Sequence, residues 1–153
     1  MVASTGNDGY AMGISWPACV PRVVKASGVR NDGVGSTKAI LANSANPSFF
    51  PGDFMFFGVY GADASGGTAI LSSANVLNND TGMLQLSGTS QAAPMISGLY
   101  GQIKAAVPAI TVDDASAWIR DAGSVPIAVQ ACNVGPCAPA DVFLGRRVRI
   151  PNF

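Results

Sequence analysis

The sequence predicts an α/β fold that contains a partial parallel sheet with flanking helices. Three observations lead to this prediction: four apolar runs come first, polar turns separate them, and two helical patterns follow. The runs are nearly continuous in apolar residues, which is typical of parallel strands buried on both faces. The chain has 153 residues, of which 48% are hydrophobic and 12% charged. Residues 1–153 are therefore predicted to form a single segment with a buried core.

Four predicted strands alternate with turns rich in glycine, asparagine and aspartate. The strands are Val2 to Thr5, Val23 to Val29, Phe54 to Tyr60 and the shorter Thr68 to Leu71. The clearest turns are Gly6-Asn7-Asp8-Gly9, Asn31-Asp32-Gly33 and Asn78-Asn79-Asp80. Such residues tolerate the tight backbone angles that end a strand.

The two predicted helices follow. The first runs from about Ser90 to Ala106, before Pro108, and its apolar stripe consists of Ile96, Leu99, Tyr100, Ile103 and Val107. The second has Thr111 as its N-cap and runs to about Ala122. Asp113 and Asp114 stand in its first turn, where the helix dipole favours carboxylates. Gly123 is predicted to be its C-cap.

Charge and hydropathy argue against nucleic-acid and membrane partners. The charges of nine basic and nine acidic residues cancel. We therefore expect no strongly basic surface that would attract nucleic acid or an anionic membrane. The basic cluster Arg146, Arg147 and Arg149 is predicted to be a solvated C-terminal strand or tail. No apolar run approaches the roughly 18 residues of a membrane span. The segment at Met1 lacks a signal-peptide pattern and resembles the end of a buried strand, so we expect Met1 to open a fragment of a domain.

Cysteine usage is compatible with one small disulfide loop. Cys132 and Cys137 flank a four-residue turn and could pair, which leaves Cys19 as an odd thiol that we expect to be buried. With three cysteines and no histidine, a zinc site of the usual composition is not expected. No aspartate cluster has the spacing of a calcium loop, so no metal ligand is assigned.

The segment Leu86-Ser87-Gly88-Thr89-Ser90-Gln91-Ala92-Ala93-Pro94 carries the candidate chemistry. A glycine-marked turn leads directly into the first helix, so Ser90 falls near the helix N-terminus. Unpaired N–H groups converge there, and the dipole favours negative charge. A serine in this place presents its hydroxyl beside its own N–H, which could stabilise an oxyanion. Pro94 is predicted to lie in the first turn, where its missing N–H costs nothing. The alternative is an ordinary Ser/Thr N-cap.

A longer match favours the catalytic interpretation. Gly88-Thr89-Ser90-x-Ala92-Ala93-Pro94, followed by Ile96-Ser97-Gly98, resembles the nucleophile segment of the subtilisin-like serine peptidases. The stretches Ala3 to Gly9, Trp16 to Cys19, Val23 to Val29 and Pro108 to Arg120 also resemble that family. The resemblance implies the C-terminal half of a subtilisin-like three-layer fold. Gly58-Val59-Tyr60-Gly61 departs from the Ala-Pro-Gly turn usual in the family.

The resemblance also implies the site residues. Ser90 would be the nucleophile and Asn7 the oxyanion-hole asparagine, although Asn-Asp-Gly is also a plain turn sequence. Substrate-binding roles would fall to Ala3, Ser4, Thr5, Gly6 and Thr89.

The histidine and aspartate that activate serine in this family have no counterpart here: the chain has no histidine, and none of its nine acidic residues maps to the family's aspartate. Lys104 stands 14 residues beyond Ser90 on the same predicted helix, roughly 21 Å away, which is too far to replace the histidine. The sequence leaves Lys25 and Lys38 open as substitutes. An esterase elbow fails at Ala92, and a phosphate-binding loop fails at Gly33 to Lys38.

The predicted function is a serine endopeptidase with polypeptide substrates, inactive as this chain alone. Its missing base would come from an N-terminal half of the domain or from a complementing chain. The resemblance further implies an extracellular location, mildly supported by Cys132 and Cys137, and calcium in a complete domain. The alternative is a catalytically inactive remnant that binds peptides or a partner.

Overall fold

The computed structural model describes residues 1–8, 13–30, 54–61, 69–73, 82–130 and 142–148. The strands in these ranges are β1 (Val2–Ser4), β2 (Val24–Arg30), β3 (Met55–Gly61), β4 (Ile70–Ser73), β5 (Met83–Leu86), β6 (Ser124–Gln130) and β7 (Val142–Val148). The helices are α1 (Thr89–Ala106) and α2 (Val112–Asp121). The four predicted strands and both helices lie within two residues of their predicted bounds. The sequence did not predict β5 and β6, and it predicted β7 only as a C-terminal strand or tail around its arginines.

Five strands form one mixed sheet in the order β1-β2-β3-β7-β6. The pairs β1–β2, β2–β3 and β3–β7 are parallel, and β6 pairs with β7 in the antiparallel sense. Strands β4 and β5 form a separate antiparallel pair. The predicted α/β class with a largely parallel sheet is therefore confirmed.

The main core lies between this sheet and the two helices. Its buried members are Val24, Ala26, Phe56, Ile96, Leu99 and Ile119. In the predicted stripe of α1, Ile96 and Leu99 are buried, and Tyr100 and Ile103 pack against the same core. Val107 is half exposed because it lies just beyond the last residue of the helix.

The first turn of α1 lies very close to β3. A Cβ atom added at Gly58 would stand 3.0 Å from both the Cβ and the carbonyl oxygen of Ala92, closer than side-chain carbons normally approach. Glycine on the strand and alanine on the helix therefore set the distance between β3 and the start of α1. This close packing therefore sets how far the nearby Ser90 lies from the sheet.

The caps of α2 match the prediction at one end. Thr111 is the N-cap, as predicted, and its hydroxyl accepts a hydrogen bond from the Asp114 N–H at 3.1 Å. The predicted C-cap was wrong, because that position belongs to Ala122 rather than Gly123. A Cβ atom at Gly123 would lie 2.8 Å from the ring of Trp118. This glycine therefore provides space for the indole.

Two further expectations are corrected. Cys19 is exposed rather than buried, because it lies in the surface turn before β2. Arg146 and Arg147 lie in a strand, which was one of the two expectations, but they are half-buried in β7, an inner strand between β3 and β6, and are not fully solvated. Arg149, Lys38, Cys132 and Cys137 lie outside the described residues. In those parts of the chain that the structure describes, no helix is both long enough and apolar enough to cross a membrane.

Candidate active site

Helix α1 begins with Gly88 as its N-cap, so Ser90 is its second residue. The first N–H groups of a helix have no acceptor within the helix. The N–H of the first residue, Thr89, donates to the side chain of Asn7, which lies in the turn after β1. The N–H of the third residue, Gln91, donates to the Gly88 carbonyl at 3.0 Å. Between them, the Ser90 N–H has no acceptor in its own helix. The Ser90 side chain is exposed.

Asn7 is joined to this helix start by hydrogen bonds. The backbone N–H of Thr89 donates to Oδ1 of Asn7 at 2.9 Å. The hydroxyl of Thr89 lies 3.1 Å from the same oxygen and 3.3 Å from the carbonyl oxygen of Gly6, and it accepts from the Gly6 N–H at 3.2 Å. The turn after β1 and the first residue of α1 therefore form one hydrogen-bonded unit.

Gly88 permits the close approach of these two segments. Its φ of 150° lies in a region that side-chain-bearing residues rarely adopt. A Cβ atom there would stand 3.1 Å from Nδ2 of Asn7 and 3.0 Å from Oε1 of Gln91. The amide of Asn7 therefore lies directly against the N-terminal turn of the helix that carries Ser90.

A groove opens beside Ser90, with a volume of about 450 Å³. It runs between the first turns of α1 and the β4–β5 pair. Its lining is mostly apolar: Ile70, Leu71, Ser72, Leu84, Leu86, Ser90, Gln91, Pro94 and Met95. Leu84 and Leu86 are exposed. Ser90 thus stands on the wall of a cleft wide enough to admit an apolar side chain.

Pro94 corrects one expectation about this helix. It is the sixth residue of α1 rather than a member of the first turn. An N–H at this position would have bonded to the Ser90 carbonyl four residues earlier. The proline therefore removes a regular helix hydrogen bond, and its ring lines the groove instead.

The proposed substrate strand lies apart from the groove. Ala3 and Thr5 are buried, at 9% and 0% exposure, while Ser4 and Gly6 are half-buried. Ala3 packs with Ala18 and Val23, on the sheet face away from the main core. Any contact of Ala3 or Thr5 with a ligand would therefore be made by the backbone. Thr89 is also fully buried, and its hydroxyl bonds to Gly6 and Asn7 rather than facing the groove.

Comparison with known proteins identifies the family. The model of the subtilase family, peptidase S8, matches residues 1–133. The chain belongs to the subtilase family. The resemblance inferred from the nucleophile segment is thereby confirmed, and with it membership of a family of serine peptidases.

The fold comparison agrees with this assignment. The chain is similar to the solved structure of the prenylagaramide maturation protease PagA, with a TM-score of 0.57 and 24% sequence identity. The match covers 97% of this chain and 46% of that one, so the subtilase chain described here spans about half the length of that structure. At this identity the likeness shows the fold. No curated protein matches the chain.

No base for Ser90 lies in the described part of this subtilase groove. None of the residues that line it carries a carboxylate or an amine. Lys104 is exposed and donates to the Ile110 carbonyl at 2.9 Å. Lys25 is fully buried, and its ammonium bonds to the carbonyls of Val20 and Val23. Neither lysine is placed to activate the serine.

The calcium that the family resemblance allows finds no ligand set within the described ranges. These residues contain no group of three or more histidine, cysteine, aspartate or glutamate side chains close enough to hold a metal ion. The acidic residues within these ranges are Asp8 in the turn after β1, Asp113 and Asp114 in the first turn of α2, and Asp121 at the end of that helix. The residues present in those ranges do not fit a calcium site, and we assign none to them.

Sequence reasoning missed two parts of the subtilase site. The leucines of the groove were missed because β5 was not predicted, and its exposed apolar residues carry no motif. The buried bonds of Thr89 were missed because a threonine that precedes a candidate nucleophile could equally well contact a substrate. The Gly6–Thr89 and Asn7–Thr89 pairings join residues more than 80 positions apart, which a linear pattern does not show.

Proposed function

We propose that this chain carries the nucleophile and oxyanion half of a subtilase active site, and that the complete enzyme is a serine endopeptidase. Ser90 is the nucleophile, and Asn7 with the Ser90 N–H forms the oxyanion hole. The observation that carries this proposal is the hydrogen bond from the Thr89 N–H to Oδ1 of Asn7. It ties the amide to the helix start beside the serine.

The orientation of the Asn7 amide follows from these bonds. An asparagine side chain has one acceptor oxygen and one donor nitrogen. Oδ1 faces the Thr89 N–H, which can only donate, so a flipped amide would place two donors against each other. Nδ2 is therefore available as a donor, and within the described residues it has no hydrogen-bond partner. Two N–H donors, Nδ2 and the Ser90 backbone, then serve one developing negative charge.

The proposed reaction is acyl transfer to serine followed by hydrolysis. The Ser90 oxygen bonds to the scissile carbonyl carbon while its proton passes to a histidine. The carbonyl oxygen becomes an anion held by the two donors. The carbon–nitrogen bond then breaks, and the histidine returns the proton to the leaving amine. Water repeats the sequence to free the acyl group and restore Ser90.

The two sides of Ser90 fit two parts of a polypeptide substrate. The backbone of Ala3, Ser4, Thr5 and Gly6 would contact the residue before the cleaved bond, with Thr89 holding that strand in place. The groove beside Leu86 would receive the residue after the bond. Its apolar lining favours an apolar side chain there.

The histidine has to come from polypeptide other than these 153 residues, since the chain has none, and we propose the same source for its aspartate. We propose an N-terminal half of the same domain or a complementing chain. The open side of β1 supports this, since within the described residues this edge strand pairs only with β2. An unpaired strand edge is a site where further strands add. We also propose that the complete protein is extracellular and is stabilised by calcium, and both of these proposals rest on the family resemblance alone.

The experiment is labelling with a fluorophosphonate probe after this chain is combined with a polypeptide bearing subtilase aspartate and histidine segments. We expect labelling of the complex and none of the Ser90→Ala variant. Ser97→Ala is the matched control, because Ser97 lies exposed on the same helix and bonds to the Ala93 carbonyl. The complex that contains Ser97→Ala should be labelled at the same rate as the complex with the parent chain. Labelling that survives Ser90→Ala would refute the proposal.

A second candidate is a remnant that binds peptides without cleaving them. The observation in its favour is the apolar groove whose described lining contains no base. Binding of an apolar peptide without probe labelling, in a complex shown to have assembled, would select this alternative.

A further inference from the structure

Gln91 is a polar side chain of the site to which the proposed chemistry gives no role. It is the third residue of α1, directly after Ser90, and it lines the groove. Its side chain is half-buried, and within the described residues its amide has no hydrogen-bond partner. Polar groups that a fold buries usually have a partner. The Gln91 amide is therefore available to a ligand.

The amide of Gln91 lies beside the amide of Asn7. Both lie against Gly88, where an added Cβ atom would stand 3.0 Å from Oε1 of Gln91 and 3.1 Å from Nδ2 of Asn7. Both distances are within the range of a hydrogen bond, so one oxygen atom on the open side of the two amides could contact both. The absence of a side chain at Gly88 thus brings Gln91 next to the proposed oxyanion donor.

The Gln91 amide can present either a donor or an acceptor. A glutamine amide carries one oxygen and one nitrogen, and rotation of its last torsion exchanges their positions. In the structure Oε1 is the end that lies near Gly88, and no bond to a described residue holds it there. The amide of Asn7 differs, because its Oδ1 accepts from the Thr89 N–H. Asn7 is therefore a fixed donor, and Gln91 is an adjustable one.

We propose that Gln91 is a third donor to the developing anion and acts through Nε2. This inference rests on the proposed function, in which Nδ2 of Asn7 and the Ser90 N–H hold the carbonyl oxygen as it becomes negative. An acceptor oxygen beside that charge repels it, so the Gln91 amide rotates and directs Nε2 to the anion. The additional bond forms as charge develops. It therefore lowers the reaction barrier without tightening the binding of the substrate.

The position of Gln91 allows its donor to be removed without disturbing the helix. Glutamine and methionine have similar helix propensities, so Gln91→Met removes the donor and keeps an unbranched side chain. Gln91→Glu replaces the donor with a carboxylate. The first turn of α1 contains no acidic residue, and a carboxylate there is favoured by the helix dipole. A donor role predicts a slower reaction at an unchanged or higher Tm, whereas a structural role predicts that rate and Tm fall together.

The experiment measures fluorophosphonate labelling of the assembled complex at increasing probe concentration, which separates the binding constant of the probe from the maximal labelling rate. Gln91→Met should lower the maximal rate about tenfold, less than the loss of a main oxyanion donor, and leave the binding constant unchanged. Gln91→Glu should lower the rate further, because its carboxylate repels the anion, while the Tm of the complex stays equal or rises. Gln102→Met is the matched control, because Gln102 is exposed on the same helix and does not line the groove. It should change neither quantity.

The outcomes separate this inference from the proposed function. If the assembled parent complex is not labelled, both fail. If the parent is labelled and Asn7→Ala slows the labelling, but both Gln91 variants keep the parent's maximal rate, the proposed function stands and the third donor is ruled out. An effect of Gln91→Met on the binding constant of the probe alone would make Gln91 a substrate contact and would also overturn the proposal. Equal losses of rate and Tm in both variants would show a structural role instead.

Discussion

The backbone N–H of Thr89 donates a hydrogen bond of 2.9 Å to Oδ1 of Asn7, across 82 positions of sequence. This bond joins the turn after an edge strand to the first residue of a helix. It uses one of the N–H groups that a helix start leaves unpaired. The side chain that caps the helix is therefore also the proposed oxyanion donor. Stability and the proposed chemistry would therefore depend on the same contact.

Replacing Thr89 by valine should weaken this unit. The shape is kept, but the hydroxyl bonds to Asn7 and Gly6 are lost, and the Gly6 N–H loses its acceptor. We expect the free energy of unfolding to fall by about 1–3 kcal/mol, with slower fluorophosphonate labelling of the assembled enzyme. Urea unfolding and labelling rates measure the two effects. Equal stability of Thr89→Val and the parent would contradict this prediction, and Ser97→Ala should change stability by less than about 0.5 kcal/mol.

Gly88→Ala should displace Asn7. The new methyl group would stand 3.1 Å from Nδ2 of Asn7 and 3.0 Å from Oε1 of Gln91, at a φ of 150°. The glutamine end can move aside, but Asn7 is held by Thr89. We expect a strain of about 1–3 kcal/mol and at least about a tenfold loss in labelling rate.

Gly98→Ala is the matched control for this change. Gly98 lies on the same helix, and a Cβ atom there meets nothing within 4 Å. Alanine should raise helix stability by up to about 1 kcal/mol and leave labelling unchanged. If Gly88→Ala also left the labelling rate unchanged, the close approach of Asn7 to the helix start would have no catalytic role.

The purified chain should be marginally stable or prone to aggregation. Strand β1 lies at one end of the sheet order, and an unpaired parallel edge is a template for association. Thermal unfolding followed with light scattering measures this. A cooperative transition of a monomer would contradict the expectation. A complementing polypeptide that adds a strand to β1 should raise the unfolding temperature.

Alkaline pH should destabilise the fold partly through Tyr100. Burial raises the pKa of its phenol above the ordinary value, while the bond to Ser116 lowers it and Asp113 raises it further. The stability from the neutral phenol is fully present below the unfolded pKa of about 10. It is lost as the pH rises toward the higher folded pKa. Tyr100→Phe should therefore lose less stability than the parent between pH 8 and 11, and urea unfolding across this range checks the slope.

Local features of the candidate site could be read from the sequence. Gly88 marks the helix start, the residues after Ser90 continue it, and Thr111 caps the next helix as expected. These predictions succeeded because capping and hydrophobic spacing are physical effects within a few residues. The predictions that failed concern how a residue packs against the rest of the fold. Cys19 was expected to be buried and Gly123 to cap α2. Both predictions failed because the burial of a residue, and the space that the Trp118 ring takes beside Gly123, depend on three-dimensional packing.

By itself, the sequence determined the family, the proposed nucleophile and the largely parallel sheet. Each of these is encoded in short runs whose residue types have few structural interpretations. The tertiary structure alone decided that Thr89 points inward to Asn7 and Gly6, that leucines of β5 line the groove beside Ser90, and that the buried ammonium of Lys25 donates to the main-chain carbonyls of Val20 and Val23. These contacts arise from the packing of separate segments against one another, and no local pattern specifies which residues will meet.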